Sequence, residues 1–298
     1  MAMLIFHFAN SKNECYLLFF VCIYQCFFRG YGLNRILKVA ITVFPFWFSS
    51  PCHALYNGNP SAPELPESGC LIGKDFFLGI KAGYIGDLVF SRSMIVKASQ
   101  SQADHEISSF KSLMNAGIIT VDFMNRVDLY TAIGTYQIKL SQKIRENNRI
   151  HYTSDHHIGG MAGIKAVLAC WGDTQIGVDV KGFLSCPRIE AIHVNDSHAD
   201  VGHSKCSDRQ WQIGAALSQR VGWFVPYIGA TYTHAELKLK SLSSLQQYYP
   251  KKEVLLTNKY SFGFILGFGL AFDSMLSLNL EAKMIEETAG SCSLDFRF

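Results

Sequence analysis

The segment 260–272, YSFGFILGFGLAF, alternates at every position. Phe262, Phe264, Leu266, Phe268, Leu270 and Phe272 fall on one side of an extended chain, and Ser261, Gly263, Ile265, Gly267, Gly269 and Ala271 on the other. A repeat of two residues is the period of a strand and leaves no room for helical spacing. Two other stretches repeat the pattern. In 210–218 Trp211, Ile213, Ala215 and Leu217 oppose Gln210, Gln212, Gly214, Ala216 and Ser218. In 275–284 Leu276, Leu278, Leu280, Ala282 and Met284 oppose Ser277, Asn279, Glu281 and Lys283. A soluble sandwich would alternate too. Here the bulky apolar face stands against a small or polar one, which suits a wet interior inside a lipid-facing wall. The segments also have the length of about 9–13 residues that a tilted strand needs to cross a bilayer.

Strands are expected near 76–96, 116–124, 127–140, 158–171, 174–185, 209–220, 225–240, 260–272, 275–285 and 291–298. Tight connections sit at Asn125, Gly172-Asp173, Val221–Trp223 and Asp273. Longer ones lie at 97–115, 141–157, 186–208 and 241–259, and a brief one follows residue 285. Short turns at one end and long loops at the other are the signature of a transmembrane antiparallel β-barrel of outer-membrane type. The fold class is therefore all-β, with about ten strands and both ends of the barrel on the short-turn side. The range extends from ten to sixteen, and 76–96 is long enough to hide two strands around Gly86-Asp87. The closing strand 291–298 ends on an aromatic. Leu294, Phe296 and Phe298 share its apolar side, fit a lipid-facing girdle, and form the candidate C-terminal signal for the barrel assembly machinery.

Charged residues make up 17% of the chain and aromatics 13%, against roughly 25% charged in ordinary globular domains. Lys12, Arg29, Arg35 and Lys38 against Glu14 account for the whole net positive charge, so residues 55–298 are neutral and no nucleic-acid partner is expected. Residues 33–54, LNRILKVAITVFPFWFSSPCHA, have the basic start, apolar core and small-residue cleavage motif of a secretory signal, with cleavage after Ala54. Residues 1–32 hold a second apolar block upstream of a complete signal, and translation is expected to begin near residue 33. A periplasmic lead-in over 55–75 and a barrel over 76–298 complete the organisation.

Several stretches resemble one family. ALYNGNPSAPEL follows the cleavage site, IKAGYIGDLVFSR forms the first strand, and GMAGIKAVLACWGDTQIGVDVKG pairs two central strands around a cysteine and a tryptophan. QWQIGAALSQRVGWFVPYIGATYTHAEL and the tail LNLEAKMIEETAGSCSLDFRF continue the match. Together they resemble the chlamydial major outer membrane porins, with shorter loops. The resemblance implies a porin for small solutes in the bacterial outer membrane. It also implies disulfide links into a stiff envelope, to copies of the chain or to cysteine-rich envelope proteins.

Five cysteines follow the leader: Cys70, Cys170, Cys186, Cys206 and Cys292. All five are disulfide candidates in an exported chain, and an odd number leaves one thiol or one intermolecular bond. Cys186 and Cys206 share one outer loop and could bridge each other. Cys70 and Cys170 lie toward the periplasm, within reach of a partner; alternatively Cys170 is a small apolar strand residue.

Candidate pore-lining residues are Lys165, Asp179, Lys181, Glu236, Lys238, Glu281, Lys283, Asp295 and Arg297, each on the small or polar parity of its strand. Charges of both signs predict weak ion selectivity. In the loop HVNDSHADVGHSKCSDR, His193, His198, His203 and Cys206 are zinc-ligand types, but their spacing matches no closed site. A polar outer loop accounts for them equally well, and neither a metal nor a cofactor is expected. No Gly-x-Ser-x-Gly elbow or phosphate-cradling glycine loop occurs, so an enzyme is not expected. Two functions compete: a diffusion porin that also cross-links the envelope, and a non-conducting structural or adhesive barrel.

Overall fold

The computed structural model describes residues 58–59, 78–97, 105–144, 148–195, 197–199, 204–240, 253–272 and 275–298. The leader, most of the lead-in, Cys70 and His203 lie outside the described residues. Among the described residues there are fifteen strands: β1 (Leu78–Arg92), β2 (Met94–Val96), β3 (His105–Phe123), β4 (Val127–Ile144), β5 (Asn148–Ser154), β6 (His157–Trp171), β7 (Thr174–Ser185), β8 (Ile189–Val194), β9 (Ser197–Ala199), β10 (Lys205–Gln219), β11 (Phe224–Lys240), β12 (Glu253–Asn258), β13 (Phe262–Phe272), β14 (Leu276–Met284) and β15 (Glu287–Arg297).

Ten long strands close a ring in the order β1-β15-β14-β13-β11-β10-β7-β6-β4-β3, every pair antiparallel. The ring shuts where Leu78–Ile80 pairs with Phe123–Val121, and the Phe298 amide donates to the Ile80 carbonyl at 2.9 Å. The sequence therefore contains ten barrel strands. No hairpin hides at Gly86-Asp87, because β1 runs in register along β15 from Lys81↔Arg297 to Val89↔Ala289. The tight turns and both ends of the barrel share one side, as expected. Gly172 occupies the first position of a two-residue hairpin loop at φ 58°, a conformation that favours glycine.

Of the remaining five strands, β5, β8, β9 and β12 occupy stretches expected to be loops, and β2 ends the stretch expected as the first strand. β5 continues the sheet beyond β6 by pairing with β4, β8 lines up on β5, and β9 on β8. β12 bridges β11 to β2. These segments combine into a second, smaller structure at the long-loop end.

The faces settle which solvent surrounds the ring. Ile119, Ile133, Ile158, Ile164, Leu168, Leu217 and Leu266 point outward and are exposed, while Asp122, Asp128, Asp179, Gln212, Asn279 and Lys283 point inward and are buried. A water-soluble sandwich would have the reverse. Aromatic residues mark two levels. Trp171, Trp223, Phe224, Phe268, Phe296 and Phe298 lie near the tight turns, with the last two rings 5.1 Å apart. Farther along, Trp211, Tyr232 and Phe262 contact one another at 5.4 and 5.1 Å. From Phe224 to Tyr232 the strand rises about 27 Å, and with a tilt of about 40° this spans about 21 Å, close to the apolar band of about 25 Å in such barrels. The chain is a multi-pass outer-membrane β-barrel.

Above the second aromatic level the strands change character without interruption. In β11 the outward residues Ile228, Ala230 and Tyr232 give way to His234, Glu236, Lys238 and Lys240, while the inward ones change from Tyr227, Thr231 and Thr233 to Ala235, Leu237 and Leu239. In β4 the inward Asp128 and Tyr130 give way to Ile138 and Leu140. Inside the membrane the wall is apolar outside and polar within. Beyond it the same strands are polar outside and apolar within, as in a soluble protein. Ile150, Tyr152, Ile192, Leu237, Leu239, Val254, Leu256, Phe110 and Cys206 join into one buried apolar cluster that caps the lumen.

Candidate functional site

The lumen is built from inward side chains contributed by every barrel strand, arranged in three levels. At the tight-turn end the Lys81 ammonium donates to both oxygens of Asp128 at 3.0 and 3.1 Å and lies 3.8 Å from Asp122. Arg297 approaches Asp122 at 3.2 Å and donates to Asn125 Oδ1 at 2.7 Å. The first and last barrel strands are thereby clasped to the β3–β4 hairpin.

In the middle level Tyr130 donates to Asp179 at 2.7 Å, and Lys181 lies 3.0 Å from the same carboxylate. The Lys165 ammonium stands 5.2 Å over the Tyr130 ring. Elsewhere in the lumen Tyr227 donates to Glu281 at 3.1 Å and Lys283 donates to Gln212 at 2.8 Å. The two tyrosines fill room left by inward glycines. A Cβ on Gly163 would sit 2.4 Å from Tyr130 Oη, and one on Gly267 2.3 Å from Tyr227 Cζ. These glycines make space for rings rather than for an open channel.

The third level lies just beneath the cap. Arg92 donates through Nε to Glu287 at 2.7 Å and through Nη1 to Gln210 at 3.0 Å. Gln210 and Tyr136 both donate to Asp208. Glu286, in the turn between β14 and β15, folds inward to accept from Thr231 at 3.2 Å and Thr233 at 2.9 Å. Burial pushes its carboxyl up from the ordinary range, and nearby Lys283 pulls it back.

Of the residues expected in the lumen, Lys165, Asp179, Lys181, Glu281, Lys283, Asp295 and Arg297 are placed on the inward parity. Glu236 and Lys238 are not. They face outward on the part of β11 beyond the membrane, where Glu236 lies 3.5 Å from His234 and 3.9 Å from Lys97. The polar parity of β11 is the inner one only below Tyr232, so the sequence rule fails above it. The sequence reading missed Lys81, Asp87, Arg92, Asp122, Asp128, Asp208, Glu286 and Glu287. Lys81 and Asp87 share the parity of Gly79 and Gly83, a signal that was available. Arg92 reaches the lumen only because a bulge between Val89 and Ser91 flips the phase of β1.

The cysteines sort by face. Cys186 is exposed on the outside of the barrel extension, whereas Cys206 is buried in the cap core. Cys186 and Cys206, which could bridge each other by sequence, are both free thiols here, because adjacent ladder positions send the two side chains to opposite faces of one sheet; Cys186 Sγ lies 3.8 Å from Ser207 Oγ. Cys292 faces outward within the apolar band beside Gly86. Cys170 is exposed next to Trp171 at the tight-turn end. Leu294 and Phe296 lie on the outward side of β15.

With a ten-stranded ring and an inverted apolar wall in place, similarity to known proteins takes on structural meaning. Two curated major outer membrane porins of Chlamydia pneumoniae are 22% and 20% identical, and each alignment covers 89% of this chain and 100% of the relative. The chain resembles the chlamydial major outer membrane porins along nearly its whole length. No family model matches it. Among solved structures, the outer membrane protease OmpT of Escherichia coli has a TM-score of 0.40 and 11% identity, covering 74% of this chain and 97% of that one. The translocator domain of the autotransporter NalP from Neisseria meningitidis gives 0.36 and 14%, covering 75% and 89%.

Proposed function

We propose that this protein is a small, gated porin: a barrel whose polar lumen admits small solutes and ions when the outer apolar cap opens, and which is shut in the conformation seen. One observation carries the reading, the charged lumen lying beneath an apolar plug. Buried ion pairs stabilise a fold no better than apolar packing of the same volume. A lumen carrying charge at three levels is therefore explained by hydration and solute passage rather than by stability. Lys165, Asp179, Lys181, Glu281, Lys283, Asp295 and Arg297, together with the newly found lumen charges, would set a weak ion selectivity. The exposed Cys170 and Cys186 would carry cross-links to envelope partners at the two ends of the barrel. The relatives' name favours a non-enzymatic channel, although one of the similar solved barrels is a protease.

A second reading, a structural barrel that never conducts, is favoured by the near-complete burial of the lumen charges, with Asp179 at 0% and Lys283 at 1% exposure. Conductance across planar bilayers separates the two, using the full chain and an Ile192→Asn variant that weakens the cap. A quiet parent and a variant with discrete conductance steps support the gated porin. Silence from both, with the protein shown to be folded, supports the structural barrel. Frequent steps from the parent at low voltage would remove the cap from the account.

A further inference from the structure

The cap places three histidines side by side that the sequence keeps apart. Strand register aligns His151 of β5 opposite His193 of β8, and His193 opposite His198 of β9. All three lie on the outer, water-facing side of this sheet, because their neighbours Ile150, Tyr152 and Ile192 point the other way into the cap core. Directly opposed residues on adjacent antiparallel strands hold their Cβ atoms about 4.5–5.5 Å apart, the reach over which two imidazoles can share an ion.

Two observations point to a ligand. The rings of His193 and His198 have centroids 5.2 Å apart. Two imidazoles bound to one tetrahedral ion through bonds of about 2.0–2.1 Å have centroids separated by about 5 Å. The Nδ1 of His198 lies 2.9 Å from the Ala199 carbonyl. A carbonyl oxygen only accepts, so that nitrogen carries the proton and the lone pair is left on Nε2. Backbone carbonyls commonly fix the tautomer of metal-binding histidines in this way.

We propose that His193 and His198 clamp a late first-row divalent cation such as zinc, with His151 turning in as the third ligand. Among the described residues no three ligating groups already surround one point. The row therefore supplies a two-histidine clamp at once and its third member by side-chain rotation. Imidazole nitrogen suits zinc, copper and nickel over calcium or magnesium. A bound ion would staple β5, β8 and β9 together across the outside of the cap.

The test is calorimetric titration of zinc into the full chain in detergent, in a chelator-free buffer at pH 7.5. Binding of one ion per chain is expected. His193→Asn and His198→Asn should each weaken it tenfold or more, and His151→Asn severalfold. His234→Asn, a histidine packed against Trp211 on another strand, should leave it unchanged. A mobility-shift gel for folded barrels checks each variant. Zinc should also raise the thermal midpoint of the parent but not that of His193→Asn, since an ion that binds only the folded state stabilises it. The absence of zinc binding at 100-fold molar excess would overturn the proposal. So would binding that survives His193→Asn, or that disappears with His234→Asn.

Discussion

Replacing Glu287 with glutamine should cost more than any other single change in the lumen. Its carboxylate faces two buried cations, Arg92 at 2.7 Å and Lys283 at 3.5 Å. Arg92 faces this one carboxylate directly and keeps Gln210 and the Phe110 ring as further company. Removing one member of a buried pair costs about 3–5 kcal/mol because its partner stays behind uncompensated. Glu287→Gln removes the one carboxylate paired directly with Arg92 and one of those near Lys283, which keeps Gln212, and belongs at the upper end of that range. Arg92→Met leaves Glu287 with Lys283 and belongs at the lower end. At about 1.4 kcal/mol per tenfold, the first change shifts the unfolding equilibrium by more than three orders of magnitude. The double variant Arg92→Met/Glu287→Leu replaces charge with apolar volume and should recover most of the loss. Urea unfolding in detergent, followed by tryptophan fluorescence and by the gel mobility of folded barrels, measures all three. The reasoning fails if Glu287→Gln costs less than Arg92→Met, or if the double variant loses the sum of the singles.

Other consequences are equally open to measurement. Gly267→Ala forces a Cβ to within 2.3 Å of Tyr227 Cζ and 2.6 Å of the Leu280 carbonyl; it should destabilise by about 1–3 kcal/mol, with partial recovery when Tyr227 is also cut to alanine. Gly222→Ala meets no atom within 4 Å but sits at φ 61°, and should still lose about 1–2 kcal/mol from backbone strain alone in the same urea series. Maleimide should label Cys186 on the folded barrel and spare Cys206 until denaturant is added; a 186–206 cross-linked peptide in a non-reducing digest would contradict the opposite-face assignment.

The barrel was legible because lipid enforces a simple rule. With bulky side chains outside and small or polar ones inside, Phe262–Phe272 and Leu276–Met284 announced themselves by alternation alone. The same rule concealed the cap. Glu236 and Lys238 continue the alternation of β11 without a break, yet the surrounding solvent changes from lipid to water near Tyr232, so the meaning of each face reverses. Alternation records that two faces differ and is silent on which one is inside. The bulge in β1 that turns Arg92 inward, and the turn that folds Glu286 over Gly263, leave no periodic trace. The histidine row is likewise a property of register, since His151 and His193 belong to separate connections that meet only once β5 and β8 pair.

The lumen contacts join distant parts of the chain. Arg92 and Glu287 are 195 residues apart, and Arg297 and Asn125 are 172 apart. A chain broken off before β15 would leave Arg92 without Glu287 and Asp122 without Arg297. The pairing of Arg92 with Glu287 and of Asp122 with Arg297 thus depends on β15. The arrangement couples closure to electrostatics: the strand that seals the ring against β1 is also the one that carries the counter-charges for Arg92 and Asp122.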